Sequence, residues 1–167
     1  MVLEANNFLR QYGQRTSYPA RPQIDDLILL CLMESKLLSE LVLYLRLAQA
    51  FRERLQMPDR DRALVMAGTA ASLVQMPMVG NFCRQLILQN NPGHMVRKWD
   101  TFEIALKDDD FHVFLKQLGR RLPVERGESI LRELRFNCDV RRKDYKTDLE
   151  FVVAVMGIDM EWLEENF

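Results

Sequence analysis

Two histidines are all that this chain offers for proton transfer near neutral pH. One of them, His94, follows the turn residues Asn90-Asn91-Pro92-Gly93 and leads into Met95, Arg97, Lys98 and Trp99, with Met76 and Met78 upstream. Thioethers and an indole supply adaptable apolar contact, Arg97 and Lys98 supply charge for an anion, and His94 supplies a proton donor or acceptor. Within that set a peptide or protein contact is a better fit than a small anion. The simplest reading is that Met and Trp fill a gap in the core while the cations are solvated. His112, between Phe111 and Val113 on an amphipathic pattern, reads as a structural side chain rather than a ligand.

A second group of residues is basic. Arg120 and Arg121 are followed by Arg141, Arg142 and Lys143, and residues 111–146 hold ten Lys or Arg against five Asp or Glu. From Thr147 onward there are six acids and no base, and the whole chain has a net charge of −1. That near-neutral total gives no general electrostatic drive toward nucleic acid. The expected arrangement sets the acidic tail near the basic segment, and a basic face that binds nucleic acid or another anion is the alternative. Aromatic interleaving is missing apart from Tyr145, and no helix-turn-helix glycine pattern precedes the cluster.

The remaining constellations argue against catalysis. There is no GxGxxG, P-loop, GxSxG, HExxH or ExxH pattern. Asp108-Asp109-Asp110 would point about 100° apart per residue on a helix and so would not converge on one cation; they suit a helix start instead. No cofactor, metal or catalytic residue is expected.

The elements that must position these residues are helical. At 48% apolar and 28% charged, 167 residues suit one globular domain over 1–167. The three cysteines, Cys31, Cys83 and Cys138, have no CxxC spacing and read as reduced thiols of a cytoplasmic protein, with Cys31 buried in an apolar helix. The N-terminal residues lack a basic region and a long apolar run, so secretion is not expected.

The longest Pro- and Gly-free stretch, 23–57, is also the most apolar, with residues recurring at three and four. Leu30, Leu37, Leu41, Tyr44, Ala48, Phe51 and Leu55 form one stripe, and Leu27, Ile28, Cys31, Leu38, Val42 and Leu45 form another. Its charges exclude a membrane span. A helix of this length would run roughly 50 Å, longer than the ~40 Å diameter of a compact domain. A break near Glu34–Ser39 is therefore expected, with an unbroken helix and surplus apolar surface as the alternative.

A small-residue helix over Arg60–Gln75 is expected to pack against this stretch as an antiparallel hairpin. Beyond it, Asn81 would cap Phe82–Gln89, Asp100 with Glu103 would cap Thr101–Lys107, and Asp108 or Asp109 would start a helix ending near Gly119. Pro123 opens Val124–Arg135, and Thr147 with Glu150 caps Leu149–Met156, which stops at Gly157 before a last turn capped by Asp159. The Phe151–Val155 run reads as helix because no partner strand exists. Phe8–Arg15 and Phe114–Arg121 resemble each other through shared helix-end chemistry more than through a repeat.

These elements make an all-α bundle of about seven to nine helices around the 23–57 helix. The function expected of it is a non-enzymatic protein-interaction or structural module, with a protein partner or a second copy of the chain on the surplus apolar surface.

Overall fold

The computed structural model describes residues 24–136 and 140–167. Among them there are eight α-helices and no strand. They are α1 Ile24–Glu53, α2 Met57–Leu73, α3 Pro77–Asn90, α4 Phe102–Ala105, α5 Asp109–Arg121, α6 Val124–Glu133, α7 Asp148–Met156 and α8 Met160–Asn166. Single 3-10 turns stand at Met95–Lys98 and Arg142–Asp144. The all-α expectation holds, including helix over Phe151–Val155. The helix expected over Val2–Tyr12, the Thr16–Pro22 loop and Cys138 lie outside the described residues.

The chain divides into two compact units, residues 1–32 and 33–167, with the boundary inside α1. In the first unit Leu29 and Leu32 are 51% and 64% exposed, and Cys31 is exposed as well, not buried as its apolar neighbours suggested. Burial on α1 starts only at Leu41 and is then almost continuous through Phe51.

The expected break at Glu34–Ser39 does not occur. Ser39 Oγ donates to the Ser35 carbonyl at 2.9 Å, so the serine is satisfied inside the helix instead of capping a new one. Thirty residues of α1 give it a length of about 45 Å.

In the second unit α1 is tied to the later helices by hydrogen bonds. Tyr44 donates its hydroxyl to the Leu122 carbonyl at 3.0 Å, Arg46 Nη2 donates to the Val140 carbonyl at 3.1 Å, and Gln49 Nε2 donates to the Val155 carbonyl at 2.6 Å. At α6 the absence of a side chain on Gly127 admits Leu43 and Leu47 of α1, whose methyls would lie 3.4 and 2.8 Å from a Cβ there.

Helix α2 is buried over most of its surface from Arg60 to Ser72, with Arg62 and Met66 partly exposed. Its small residues permit close approach, and two of them meet α3 and α4. A Cβ on Gly68 would fall 2.2 Å from Phe102 Cε2, and one on Gly80 of α3 would fall 3.3 Å from Ser72 Oγ and 3.4 Å from the Gly68 carbonyl. The hairpin fixed by small side chains is thus α2 with α3. At its other end Arg60 pairs with Asp61 at 2.9 Å and donates to the Leu86 carbonyl at 2.7 Å, while Asn90 Nδ2 donates to Asp61 at 2.9 Å.

Four helix ends close in one way. The amide of Gln56 reaches the Phe51 carbonyl, Met76 reaches Ala71, Phe136 reaches Leu131 and Ile158 reaches Val153. These are the six-to-one bonds of a Schellman end, and the residues before them, Leu55, Gln75, Arg135 and Gly157, all have positive φ. Only Gly157 advertises that conformation in the sequence.

Two expected starts and one expected end move. Pro77 rather than Phe82 opens α3, so Asn81 is interior. Thr101, not Asp100, caps α4 by accepting from the Ile104 amide. Gly119 lies within α5, which ends at Arg121. The Thr147–Glu150 capping box and the Asp108 cap are present as expected.

Gly68→Ala should lower the unfolding free energy by about 1–3 kcal/mol through overpacking against Phe102, read as a lower urea midpoint. Phe102→Leu in the same chain should recover part of the loss; a Gly68→Ala midpoint equal to wild type would contradict this packing.

Candidate functional site

The His94–Trp99 segment splits by direction. Val96 and Trp99 turn inward, whereas Arg97 and Lys98 are exposed and His94 and Met95 are half-buried. Trp99 is only 6% exposed, its ring edge-on to Phe111 at 5.1 Å. Its indole N–H donates to Asp108 Oδ2 at 2.9 Å, and its carbonyl accepts from Arg84 Nε at 2.8 Å. That N–H, followed by the amide of Asp110, holds the Asp108 carboxyl below its usual range. Outside, Lys98 Nζ lies 5.9 Å from the Trp99 ring centroid and 4.0 Å from Asp110.

His94 caps the 3-10 turn, its Nδ1 accepting from the Val96 amide at 3.3 Å, and its ring meets Phe114 edge-on at 6.1 Å. Partial burial lowers its pKa, and the charge of Asp61 opposes that shift. An imidazole that accepts a backbone hydrogen bond is neutral at that nitrogen, in keeping with the direction of the shift. Segment 94–99 therefore ties α3 to α5, with two cations left at the surface.

The basic residues are divided as well. Arg120 and Arg121 are exposed in the last turn of α5, where cations suit the helix dipole, and the Arg121 carbonyl accepts from Arg126 at 3.1 Å. Lys143 is exposed in the 3-10 turn. Arg141 and Arg142 instead join two arginines that the sequence placed elsewhere, Arg46 of α1 and Arg132 of α6.

Together these four line a groove of about 770 Å³. Its walls also include Leu38, Val42 and Leu43 of α1, Leu131 of α6, Val140, and Phe151 of α7, and among the described residues its one acid is Glu128.

The guanidinium groups around the groove are unequally satisfied. Arg142 donates to Asp148 at 2.5 Å and to the Tyr145 carbonyl at 2.7 Å, and Arg132 Nε donates to the Glu128 carbonyl at 3.4 Å. Arg46 Nε is buried and has no acceptor, a costly state for a donor bearing charge. Tyr145, the aromatic nearest the cluster in sequence, packs against Phe151 with ring centroids 6.0 Å apart. What the groove offers chemically is apolar contact edged by positive charge. Neither Arg46 nor Arg132 was singled out from the sequence, because each belongs to an ordinary amphipathic helix and only tertiary folding brings it to Arg141.

No family model, curated protein or solved structure matches the chain. Among the described residues no helix is long and apolar enough to cross a membrane.

Trp99→Ala should lower the unfolding free energy by about 3–5 kcal/mol, the range for truncating a buried aromatic, in urea denaturation followed by circular dichroism. Arg97→Ala should leave the midpoint within experimental error. His94 gives a pH signature. Its folded pKa lies below the unfolded value near 6.5, so the unfolded chain binds the proton first and the stability present above that value is lost as pH falls through it. His94→Asn retains a capping acceptor and should flatten this decline between pH 7.5 and 5.5; an identical pH profile for both proteins would dismiss the assignment.

Proposed function

We propose that this chain is a helical interaction module whose contact surface is the groove between α1, α6, the 3-10 turn and α7. Its partner is an acidic, amphipathic segment of another protein. The observation that carries this reading is the composition of the groove: among the described residues, four arginines and one glutamate around apolar side chains from three helices. Charge complementarity sets orientation and encounter, and the apolar floor supplies contact area.

A polyanion such as nucleic acid is the weaker fit to the same cations. Its recognition draws on exposed aromatic platforms, whereas Phe151 is buried and Tyr145 packs on it. Self-association has separate support in the exposed Leu29 and Leu32, three residues apart on α1.

A fluorescein-labelled helical peptide with a glutamate face and a leucine face tests the proposal by anisotropy. Binding should weaken as salt is raised and should fall at least tenfold in the Arg132→Glu/Arg141→Glu double variant, whose melting temperature should match wild type because both side chains are exposed. Equal binding by wild type and double variant would remove the groove as the surface. A single-stranded oligonucleotide that binds where the peptide does not favours the polyanion, and a concentration-dependent dimer in sedimentation that excludes the peptide favours a second copy.

A further inference from the structure

Away from the groove, a recess of about 320 Å³ is enclosed by α1, α2, α3 and the residues that end α7. Its interior is mostly apolar, with the buried side chain of Arg60 at one wall. Leu45, Ala48, Leu64 and Cys83 are buried there, with Phe82 and Met156 beside them. Cys83 is 0% exposed, and burial pushes its thiol up to about 12.

The open side carries different chemistry. Arg52, Gln89 and Gly157 line the recess and are exposed, which places them at its mouth. Among the described residues its lining includes two arginines and no acid. Those arginines are not equivalent: Arg60 is already paired with Asp61 and hydrogen-bonded to the Leu86 carbonyl, whereas Arg52 carries a charge with no hydrogen bond or ion pair among the described residues. The bond from Gln49 to the Val155 carbonyl holds the end of α7 against α1 and so maintains the wall that Met156 and Ile158 provide.

We propose that this recess binds a small monoanion with an unbranched apolar tail, of the medium-chain carboxylate class, its tail between Leu45, Leu64 and Met156 and its carboxylate at Arg52. Three features select that class. The volume holds about ten non-hydrogen atoms at the ~30 Å³ that a water molecule occupies in the liquid, and such pockets lie at the small end of known ligand sites. The buried lining is mostly apolar and its one buried guanidinium, Arg60, is already engaged by Asp61 and the Leu86 carbonyl, so the groups of a polyhydroxy ligand would lose water without finding partners. One unpaired guanidinium at the mouth matches one negative charge, and a second would stand uncompensated.

This site is independent of the groove, with which it shares no lining residue. Octanoate is the probe, with octanol and octylammonium as its neutral and cationic counterparts. The full chain is titrated with each while methyl NMR follows Leu64 and Met156, and melting is recorded in parallel. Octanoate should shift both sets of methyl signals and raise the melting temperature, and octylammonium should do neither. Arg52→Gln should weaken octanoate about tenfold or more while leaving octanol binding and the melting temperature of the free protein unchanged, since Arg52 is exposed and unpaired. Arg52→Lys, which retains the charge, should bind octanoate within about threefold of wild type. The proposal is overturned if octanoate leaves the Leu64 and Met156 methyls unmoved, if Arg52→Gln binds it as tightly as wild type, if Arg52→Lys loses it as fully as Arg52→Gln, or if octylammonium binds equally well.

Discussion

A helix buried over most of its surface leaves little water for a charge, and α2 buries two. Arg60 and Asp61 are adjacent in sequence and paired at 2.9 Å, and neither is left to compensate the other alone: Leu86 and Asn90 of α3 complete their hydrogen bonds. Removing one partner from such a pair typically costs about 3–5 kcal/mol, because the survivor stays buried and charged. The pair therefore fixes the N-terminal end of α2 to the C-terminal end of α3. At the opposite end the two backbones approach through Gly68, Ser72 and Gly80, with the Phe102 ring lying where a Gly68 side chain would stand. Polar satisfaction at one end and missing side chains at the other set the position of the hairpin, and α2 and α3 supply two walls of the smaller recess.

How much of this was legible depends on how local each cause is. The capping box at Thr147 and Glu150, the Asp108 cap and the stop at Gly157 are made by residues within a few positions of each other, and they stand as the sequence implies. Closely spaced acceptors are harder to rank. Asp100 and Thr101 both qualify as a cap, and only the observed bond to Ile104 selects threonine. The serines at 35 and 39 had two satisfactory states, a new cap or a bond back into the same helix, and the second one leaves α1 unbroken. Least visible are the left-handed residues Leu55, Gln75 and Arg135. A non-glycine residue pays roughly 1–2 kcal/mol in that conformation, so nothing in its type announces a helix end; the carbonyls it helps to satisfy decide the matter.

The sites follow the same division. That Trp99 and the cations beside it would part, one inward and the others outward, is legible from their chemistry. That Asp108 would receive the indole N–H is not, since nothing in sequence marks an acid nine residues away as its partner. The arginine groove is still less local: Arg46 reaches the Val140 carbonyl across 94 positions. The excess of base in residues 111–146 includes Arg141 and Arg142, which line the groove, but charge counting weighs Lys143, Arg120 and Arg121 equally, and none of these three lines it.

Helix α7 contributes to both recesses with nine residues. Phe151 walls the groove, while Met156 and the two residues after it wall the smaller cavity. The two walls stand at different turns of one short helix, so both recesses depend on α7 keeping its place against α1, where Gln49 bonds the Val155 carbonyl. The two recesses thus share a wall-bearing helix, although no side chain belongs to both.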